Sequence, residues 1–269
     1  MRRILIVGNW KMHLNASQAS LLLHRLQEKI KINRDIEVVL APPMLTLQPL
    51  SIQLDRKKFR LAAQNAYYRD EGAFTGEVSF TMLRDLVRYV IIGHSERRHV
   101  FLEDLPMIRD KVAAAFRNEI TPILCVGETQ QDKEDGETKQ VLHDQLMTAL
   151  ANLTAEEVGQ MVIAYEPVWA ISSGAADYKH HEIPKPGEVS SAVSYIRSYV
   201  KDVFGPDPAR SLRIIYGGSA SADMVGGYLN VKGVDGFLPG AASLNYRSFT
   251  DIIEAAHRWQ RQAEGNDDE

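Results

Sequence analysis

The amino-acid sequence predicts an α/β protein that folds as a single-domain (β/α)₈ barrel. Short apolar runs alternate along the chain with longer amphipathic segments, an order typical of parallel strands joined by helices. Eight such runs occur within 269 residues, which matches the size of a barrel of this kind. The predicted strands are residues 4–7, 36–40, 60–63, 89–92, 121–126, 161–164, 213–216 and 234–237.

The runs and the segments between them differ in hydrophobic period. Each run is almost wholly apolar, as expected for parallel strands that are buried on both faces. After the first run, Leu22, Leu26 and Ile30 recur at helical spacing, with Arg25 and Glu28 between them. The sequence therefore predicts strands covered by amphipathic helices.

A doubly wound open sheet is the alternative architecture for this pattern. The chain contains neither GxGxxG nor GxxxxGK[ST], the glycine-rich fingerprints that would support that architecture. We therefore favour one barrel domain over residues 1–261. The remaining residues, 262–269, are polar and acidic, and we expect them to be a disordered tail.

The charge balance argues against a polyanionic partner. The chain has 31 lysines and arginines against 35 aspartates and glutamates, so neither nucleic acid nor a membrane surface is expected as a partner. The apolar run near Met1 is too short for a signal peptide. Cys125 is the only cysteine, which excludes an internal disulfide and fits a reducing compartment. We expect a cytoplasmic protein.

Polar and glycine-rich segments follow five of the predicted strands. In a barrel of this class the functional site lies at the carboxyl ends of the strands, so these segments should converge on one rim. In chain order they are Asn9-Trp10-Lys11, Gly93-His94-Ser95-Glu96, Tyr165-Glu166-Pro167, Gly217-Gly218-Ser219 and Pro239-Gly240-Ala241-Ala242-Ser243.

This set of side chains is suited to moving a proton next to a carbonyl group. Glu166 could remove a proton from carbon while His94 donates a hydrogen bond to the developing enediolate oxygen. Lys11 supplies a positive charge and Asn9 a further donor. The backbone N–H groups of the two glycine-containing turns could hold a phosphate. Nothing in this set requires a metal or an organic cofactor.

Each of these residues alone has an ordinary structural explanation. A lone lysine or glutamate at a strand end is usually solvated or ion-paired, and a lone histidine is more often part of the core. A Gly-Gly pair can be a simple turn. Their occurrence on one predicted rim favours catalysis, because all of the ordinary explanations would have to coincide.

Several motifs resemble those of the triosephosphate isomerase family, over roughly residues 4–249. GHSERR at 93–98 and YEPVWAI at 165–171 are highly specific, and GNWKM occupies 8–12. The other matching stretches are AQN at 63–65, GAFTGE at 72–77, TPILCVGET at 121–129, YGGS at 216–219 and residues 234–244.

The resemblance implies a TIM barrel that interconverts dihydroxyacetone phosphate and D-glyceraldehyde 3-phosphate, in glycolysis and gluconeogenesis, without a cofactor. It implies that Glu166 is the base and His94 the electrophile. Asn9 and Lys11 would contact the substrate, and Glu96 would orient Lys11.

The resemblance also implies a phosphate site and an assembly. The backbone N–H groups that hold the phosphate would be those of Ser172, Ser219, Gly240 and Ala241. Thr75, in the GAFTGE loop, would reach into the site of a neighbouring copy, so a homodimer is expected. A flexible lid after the sixth strand would close over the substrate.

The sequence departs from the family pattern around the phosphate. The lid, usually AIGTGK, reads AISSGA at 170–175, so that Ser172 replaces a glycine. Residues 176–186 form a longer segment than usual, and the usual Val-Gly-Gly turn reads Pro239-Gly240-Ala241. Leu102 stands where glycine is often found. We expect these changes to alter the shape of the phosphate pocket and to leave the proton chemistry intact.

Two other functions are consistent with the same motifs. The altered lid and turn could suit a four-carbon ketose phosphate, although Asn9 is retained as in the triose enzymes. A non-catalytic barrel used for binding is the other alternative, but such a protein would have no reason to keep Lys11, His94 and Glu166 together.

Overall fold

The computed structural model describes residues 3–31, 34–171 and 183–265. In these ranges, parallel strands form a closed barrel in which each strand pairs with its neighbours in chain order and the last pairs with the first. The strands are β1 (Ile4–Asn9), β2 (Ile36–Ala41), β3 (Phe59–Ala63), β4 (Tyr89–Ile92), β5 (Thr121–Val126), β6 (Val162–Tyr165), β7 (Arg213–Tyr216) and β8 (Gly236–Phe237).

Helices surround the barrel and connect successive strands. Short 3₁₀ turns, Val168–Ala170 and Ala241–Leu244, follow β6 and β8. None of the helices in the described ranges combines the length and apolar character needed to cross a bilayer. The helices are α1 (Ala16–Lys29), α2 (Met44–Gln53), α3 (Phe80–Leu83), α4 (Ser95–His99), α5 (Leu105–Arg117), α6 (Gln130–Glu134), α7 (Thr138–Leu150), α8 (Ala155–Gln160), α9 (Pro186–Phe204), α10 (Pro206–Ser211), α11 (Ala222–Leu229) and α12 (Tyr246–Gly265).

The predicted (β/α)₈ TIM barrel is confirmed, with shifts at some strand ends. The observed bounds of β4, β5 and β7 are those predicted. β1 continues to Asn9 because the Asn9 N–H donates to Pro239 O at 2.9 Å. β8 begins later than predicted, since the Val234 N–H donates to Val231 O at 3.1 Å in a turn.

The last helix reaches past the predicted end of the barrel domain at residue 261. α12 ends at Gly265, so its final turn lies within the predicted tail, residues 262–269. Residues 266–269 lie outside the described ranges. The domain boundary and the disorder of the tail therefore stay predictions.

The core has two layers, one inside the barrel and one between the barrel and its helices. Leu5 and Val7 point into the interior layer, whereas Ile4 and Ile6 pack with the helix layer. Successive side chains of a strand face opposite sides, and here both sides are apolar. This double burial is the physical reason why the strands read as continuous apolar runs in the sequence.

Polar side chains close the barrel at the amino ends of its strands. Tyr89 donates to Glu37 Oε1 at 2.9 Å, and Arg213 reaches both Glu37 Oε2 at 2.9 Å and the Tyr89 hydroxyl at 2.8 Å. Burial raises the pKa of the Tyr89 phenol. Strands β2, β4 and β7 are thereby tied together across the barrel. The rim that is predicted to carry the functional site lies at the other end.

Candidate active site

The four residues predicted to act in catalysis lie together at the carboxyl end of the barrel. Asn9 ends β1, Lys11 follows it, His94 follows β4 and Glu166 follows β6. Asn9, Lys11 and His94 line both a narrow cavity and a wider one of about 390 Å³. The narrow cavity is completed by residues of the lid base and of the turns after β7 and β8, namely Ile171, Gly217, Gly218, Ser219, Leu238 and Gly240.

Lys11 is held in an unusual backbone conformation by its neighbours. Its φ of 49° lies in the left-handed region, which is strained for a residue with a side chain. The Lys11 N–H donates to Asn9 Oδ1 at 3.0 Å, and Gln64 donates to Lys11 O at 2.9 Å. The ammonium Nζ lies 2.6 Å from Glu96 Oε1. Glu96 therefore holds the positive charge of Lys11 in place, which is the orienting role that the sequence predicts for Glu96.

The hydrogen bonds of His94 define its tautomer. The Glu96 N–H donates to His94 Nδ1 at 3.2 Å, so that the side chain caps the start of α4. A nitrogen that accepts a backbone N–H carries no proton, which assigns the proton to Nε2 of a neutral ring. Nε2 is 3.5 Å from Glu166 Oε1. His94 can therefore offer its Nε2–H to an oxygen placed in the cavity.

Glu166 is almost fully buried, with 2% of its surface exposed. Its Oε2 accepts the Ser95 N–H at 3.2 Å. Its other oxygen, Oε1, accepts no hydrogen bond from the described part of the chain. A buried carboxylate oxygen without a donor is well placed to take a proton, which is the role that the sequence predicts for Glu166.

Two glycines make the space that Glu166 occupies. A Cβ at Gly217 would lie 2.5 Å from Glu166 Cγ, and a Cβ at Gly127 would lie 1.9 Å from Glu166 O. Side chains cannot approach backbone or buried atoms that closely. Gly217 was predicted from the sequence only as part of a phosphate-holding turn, so its packing against the carboxylate is a role that sequence reasoning missed.

The residues predicted to hold a phosphate are only partly described. Ser172 lies outside the described residues. The Ser219 N–H and hydroxyl both donate to Ala170 O, at 3.2 and 3.0 Å, so this residue is tied to the base of the lid. Gly240 lines the narrow cavity next to Lys11, and the exposed Ala241 follows it at the start of a 3₁₀ turn. The phosphate-binding roles therefore stay predictions.

Thr75 lies apart from these cavities. It is exposed on the loop between β3 and α3 and does not line either cavity, although Gly76 and Glu77 of the same loop line the wider one. The structure of one chain thus neither brings Thr75 into the catalytic set nor tests its predicted contact with a second copy.

A buried network behind the lid base also escaped sequence reasoning. The Glu128 carboxylate accepts from Trp169 Nε1 at 2.8 Å and from the Tyr165 hydroxyl at 3.0 Å. Burial raises the pKa of this carboxyl group. Lys133 Nζ lies 3.4 Å from the centre of the Trp169 ring. Glu128 and Trp169 fall within the family-like motifs, but only the fold shows that they meet.

The fold and the site together define a class of protein. A parallel barrel that carries a buried carboxylate, a neutral imidazole and a fixed ammonium group at the carboxyl ends of its strands is suited to proton transfer between the carbons of a hydroxycarbonyl compound. This arrangement is typical of an aldose–ketose isomerase.

Comparison with known proteins identifies the family. The family model described as triosephosphate isomerase matches residues 4–256. The chain is 40% identical over 256 residues to the triosephosphate isomerase of Dehalococcoides mccartyi, covering 95% of this chain and 97% of that protein. It is 40% identical to the Clostridium tetani enzyme over 94% of this chain and 96% of that protein. It is 39% identical to the Carboxydothermus hydrogenoformans enzyme, over 95% of this chain and 100% of that protein. The chain belongs to the triosephosphate isomerase family.

Proposed function

We propose that this chain interconverts dihydroxyacetone phosphate and D-glyceraldehyde 3-phosphate, with Glu166 carrying the proton between the two carbons. Family membership supplies the reaction. The observation that supports the mechanism is the pairing of Glu166 with His94, 3.5 Å apart, at a cavity that also contains Lys11. Glu166 thus lies directly beside the histidine that, with Lys11, lines the cavity.

The proton transfer proceeds in two balanced steps. The Glu166 carboxylate removes a proton from the hydroxymethyl carbon of the ketose, and the carbonyl π electrons move onto oxygen to give an enediolate. His94 Nε2–H donates a hydrogen bond to that oxygen, and the Lys11 ammonium stabilises the negative charge. The hydroxyl proton of the first carbon passes to the enediolate oxygen by way of His94 Nε2, and Glu166 then returns its proton to the neighbouring carbon, so that the first carbon becomes the aldehyde of the aldose.

The phosphate would be held by the backbone N–H groups of Ser172, Ser219, Gly240 and Ala241. The proximity of Gly240 to Lys11 supports this placement, because a Cβ at Gly240 would lie only 3.3 Å from Lys11 Cε. The Ser219 N–H donates to Ala170 O at 3.2 Å, so it must exchange this partner for a phosphate oxygen when the lid closes.

We further propose that two copies form a homodimer and that the enzyme works in the cytoplasm. Large apolar side chains are exposed around the wider cavity, including Met12 at 94% and Phe101 at 63%. Such a patch on a single chain is typical of an interaction surface. Thr75 would enter the wider cavity of the second copy. The single buried cysteine is compatible with a reducing compartment.

The test is the measurement of kcat/KM for D-glyceraldehyde 3-phosphate with the wild-type chain and with Glu166→Gln. The amide cannot act as the base, so we expect kcat to fall by roughly 10²–10⁴-fold with the fold intact. Glu254→Gln, an exposed change on α12, is the matched control and should leave kcat unchanged. Near-wild-type turnover by Glu166→Gln would remove Glu166 from the reaction. Turnover of a four-carbon ketose phosphate in preference to the triose would change the substrate and keep the mechanism.

A further inference from the structure

A groove lies at the opposite end of the barrel from the catalytic rim. It has a volume of about 710 Å³ and runs between α9, α10 and α12, across the entries to β1 and β8. This volume is within the range of small-molecule sites, about 300–1,000 Å³. Neither the isomerase reaction nor the proposed dimer uses the groove.

The walls of the groove are strongly basic in a protein whose net charge is −4. Four of the lining side chains are cationic and one is a carboxylate, that of Asp235. The Asp235 carboxylate is already used, since it accepts from Ile214 N at 2.9 Å and from Arg197 Nη2 at 3.3 Å. The cationic side chains are Arg197, Lys201, Arg210 and Lys232.

Two of these cations can face a ligand without giving up an ion pair. Arg197 is paired with Asp235, and Arg210 with Asp207. In the described ranges neither Lys201 nor Lys232 has an ion-pair partner. Both side chains are exposed along the groove. Two ammonium groups that line one groove are suited to a ligand with two anionic groups.

The floor of the groove is rigid before any ligand binds. The Arg197 guanidinium donates to Gly233 O at 3.0 Å and to Leu212 O at 3.3 Å. These bonds tie α9 to the turns before β7 and β8. A preformed site of this kind loses little entropy when it binds a ligand.

One wall also offers an aromatic ring and hydroxyl groups. The Trp259 indole lines the groove, and its Nε1–H donates to Asn230 Oδ1 at 2.7 Å, which fixes the orientation of the ring. Ser190, Ser194 and Ser198 recur every four residues on α9, so they share the face of the helix that lines the groove.

We propose that this groove binds a nucleoside diphosphate. The two phosphoryl groups would lie against Lys201 and Lys232, the base against the Trp259 ring, and the ribose hydroxyls against the serines of α9. The combination of paired cations, a flat aromatic surface and a row of hydroxyl groups distinguishes this ligand class from a simple phosphate, which needs only the cations.

The first experiment is calorimetric titration of the intact protein with ADP, adenosine and pyrophosphate. ADP should bind, and adenosine and pyrophosphate should each bind at least about tenfold more weakly, because each lacks one half of the contacts. ADP should also quench tryptophan fluorescence, since Trp10 and Trp169 are 0% and 3% exposed and Trp259 lines the groove. Absence of ADP binding, or equal affinity for pyrophosphate, would overturn the proposal.

Charge variants locate the site. Lys201→Gln and Lys232→Gln should each weaken ADP binding by about tenfold, the effect of losing one charge-assisted contact. Isomerase activity and melting temperature should stay unchanged, because both side chains are exposed and lie far from the catalytic rim.

The matched control is Arg88→Gln. Arg88 lines a second basic groove at the same end of the barrel, but Asp85 and Glu119 are among the walls of that groove. This variant makes the same charge change without touching the proposed site, so ADP affinity should be that of the wild type. If Arg88→Gln weakens ADP binding as much as Lys232→Gln does, the proposed site is wrong.

Discussion

At the scale of single residues, the backbone is strained at Lys11, in the candidate site, and also at Leu102, where the sequence departs from the family pattern. Lys11 adopts a φ of 49° at the catalytic rim, where hydrogen bonds from its neighbours maintain it. Leu102 adopts a φ of 55° on an exposed turn, at a position where glycine is often found. Glycine has no Cβ and adopts this conformation without strain. The leucine at this position therefore lowers the stability of the fold, and none of the contacts described in the candidate site involves it.

Leu102→Gly should raise the unfolding free energy by about 1 kcal/mol, because it removes the strain of a left-handed leucine. Leu102→Ala is the matched control, since it shortens the side chain but keeps the Cβ, and it should have little effect. Urea unfolding curves of the wild type and the two variants, recorded at the same protein concentration, give the comparison. If alanine stabilises as much as glycine, the side chain and not the backbone is responsible.

At the scale of elements, the loop between β3 and α3 is fastened to the end of α5. The Asp70 carboxylate accepts from Arg117 at 3.1 Å, from Asn118 at 3.1 Å and from Thr81 at 3.3 Å. These bonds, that of Arg117 foremost, lower the pKa of Asp70. The loop carries Thr75, so this attachment positions the segment that is proposed to enter a second copy.

The attachment of this loop should depend on pH. The pKa of Asp70 is lower in the folded state than in the unfolded state. The contribution of this carboxylate to the free energy of unfolding is therefore complete above the ordinary aspartate pKa, near 4, and is lost as the pH falls through the pKa of the folded state. Asp70→Asn should therefore be less stable than wild type at pH 7, and the difference should shrink toward pH 3. Denaturant unfolding of both proteins across this range measures it. A difference that stays constant with pH would contradict the role of the carboxylate.

At the scale of the whole molecule, the catalytic rim borders an exposed apolar surface. The wider cavity is lined by Asn9, Lys11 and His94, which are proposed to act in catalysis, together with apolar Met12 and Phe101. Burial of that surface against a second copy would remove apolar area from water and close one side of the site. Assembly and catalysis are therefore coupled in the proposed dimer.

Thr75→Arg should convert the proposed dimer into monomers and lower kcat/KM at least about tenfold, since the bulky cation cannot enter the neighbouring cavity. Sedimentation velocity and the isomerase assay, on the same preparations, measure both effects. Ser191→Arg, which adds the same charge on an exposed face of α9, should stay dimeric and active. A fully active Thr75→Arg monomer would contradict the coupling.

The sequence by itself determined the strand order, the barrel and the residue types of the site. Continuous apolar runs mark parallel strands because both faces are buried, and strands β4, β5 and β7 were bounded correctly from this signal alone. Residues that follow successive strands must meet at one rim in a closed barrel. For this reason the sequence alone groups Asn9, Lys11, His94 and Glu166 at one rim.

The tertiary structure decided what depends on distances between remote segments. The proton on His94 Nε2 follows from the Glu96 N–H, and the space for Glu166 follows from Gly127 and Gly217. The basic groove forms only where α9, α10 and α12 meet the entries to β1 and β8. Periodicity along a chain reports which face of an element is buried, but it carries no information about which residue of another element lies opposite. That pairing is fixed by packing, so only the folded molecule could show it.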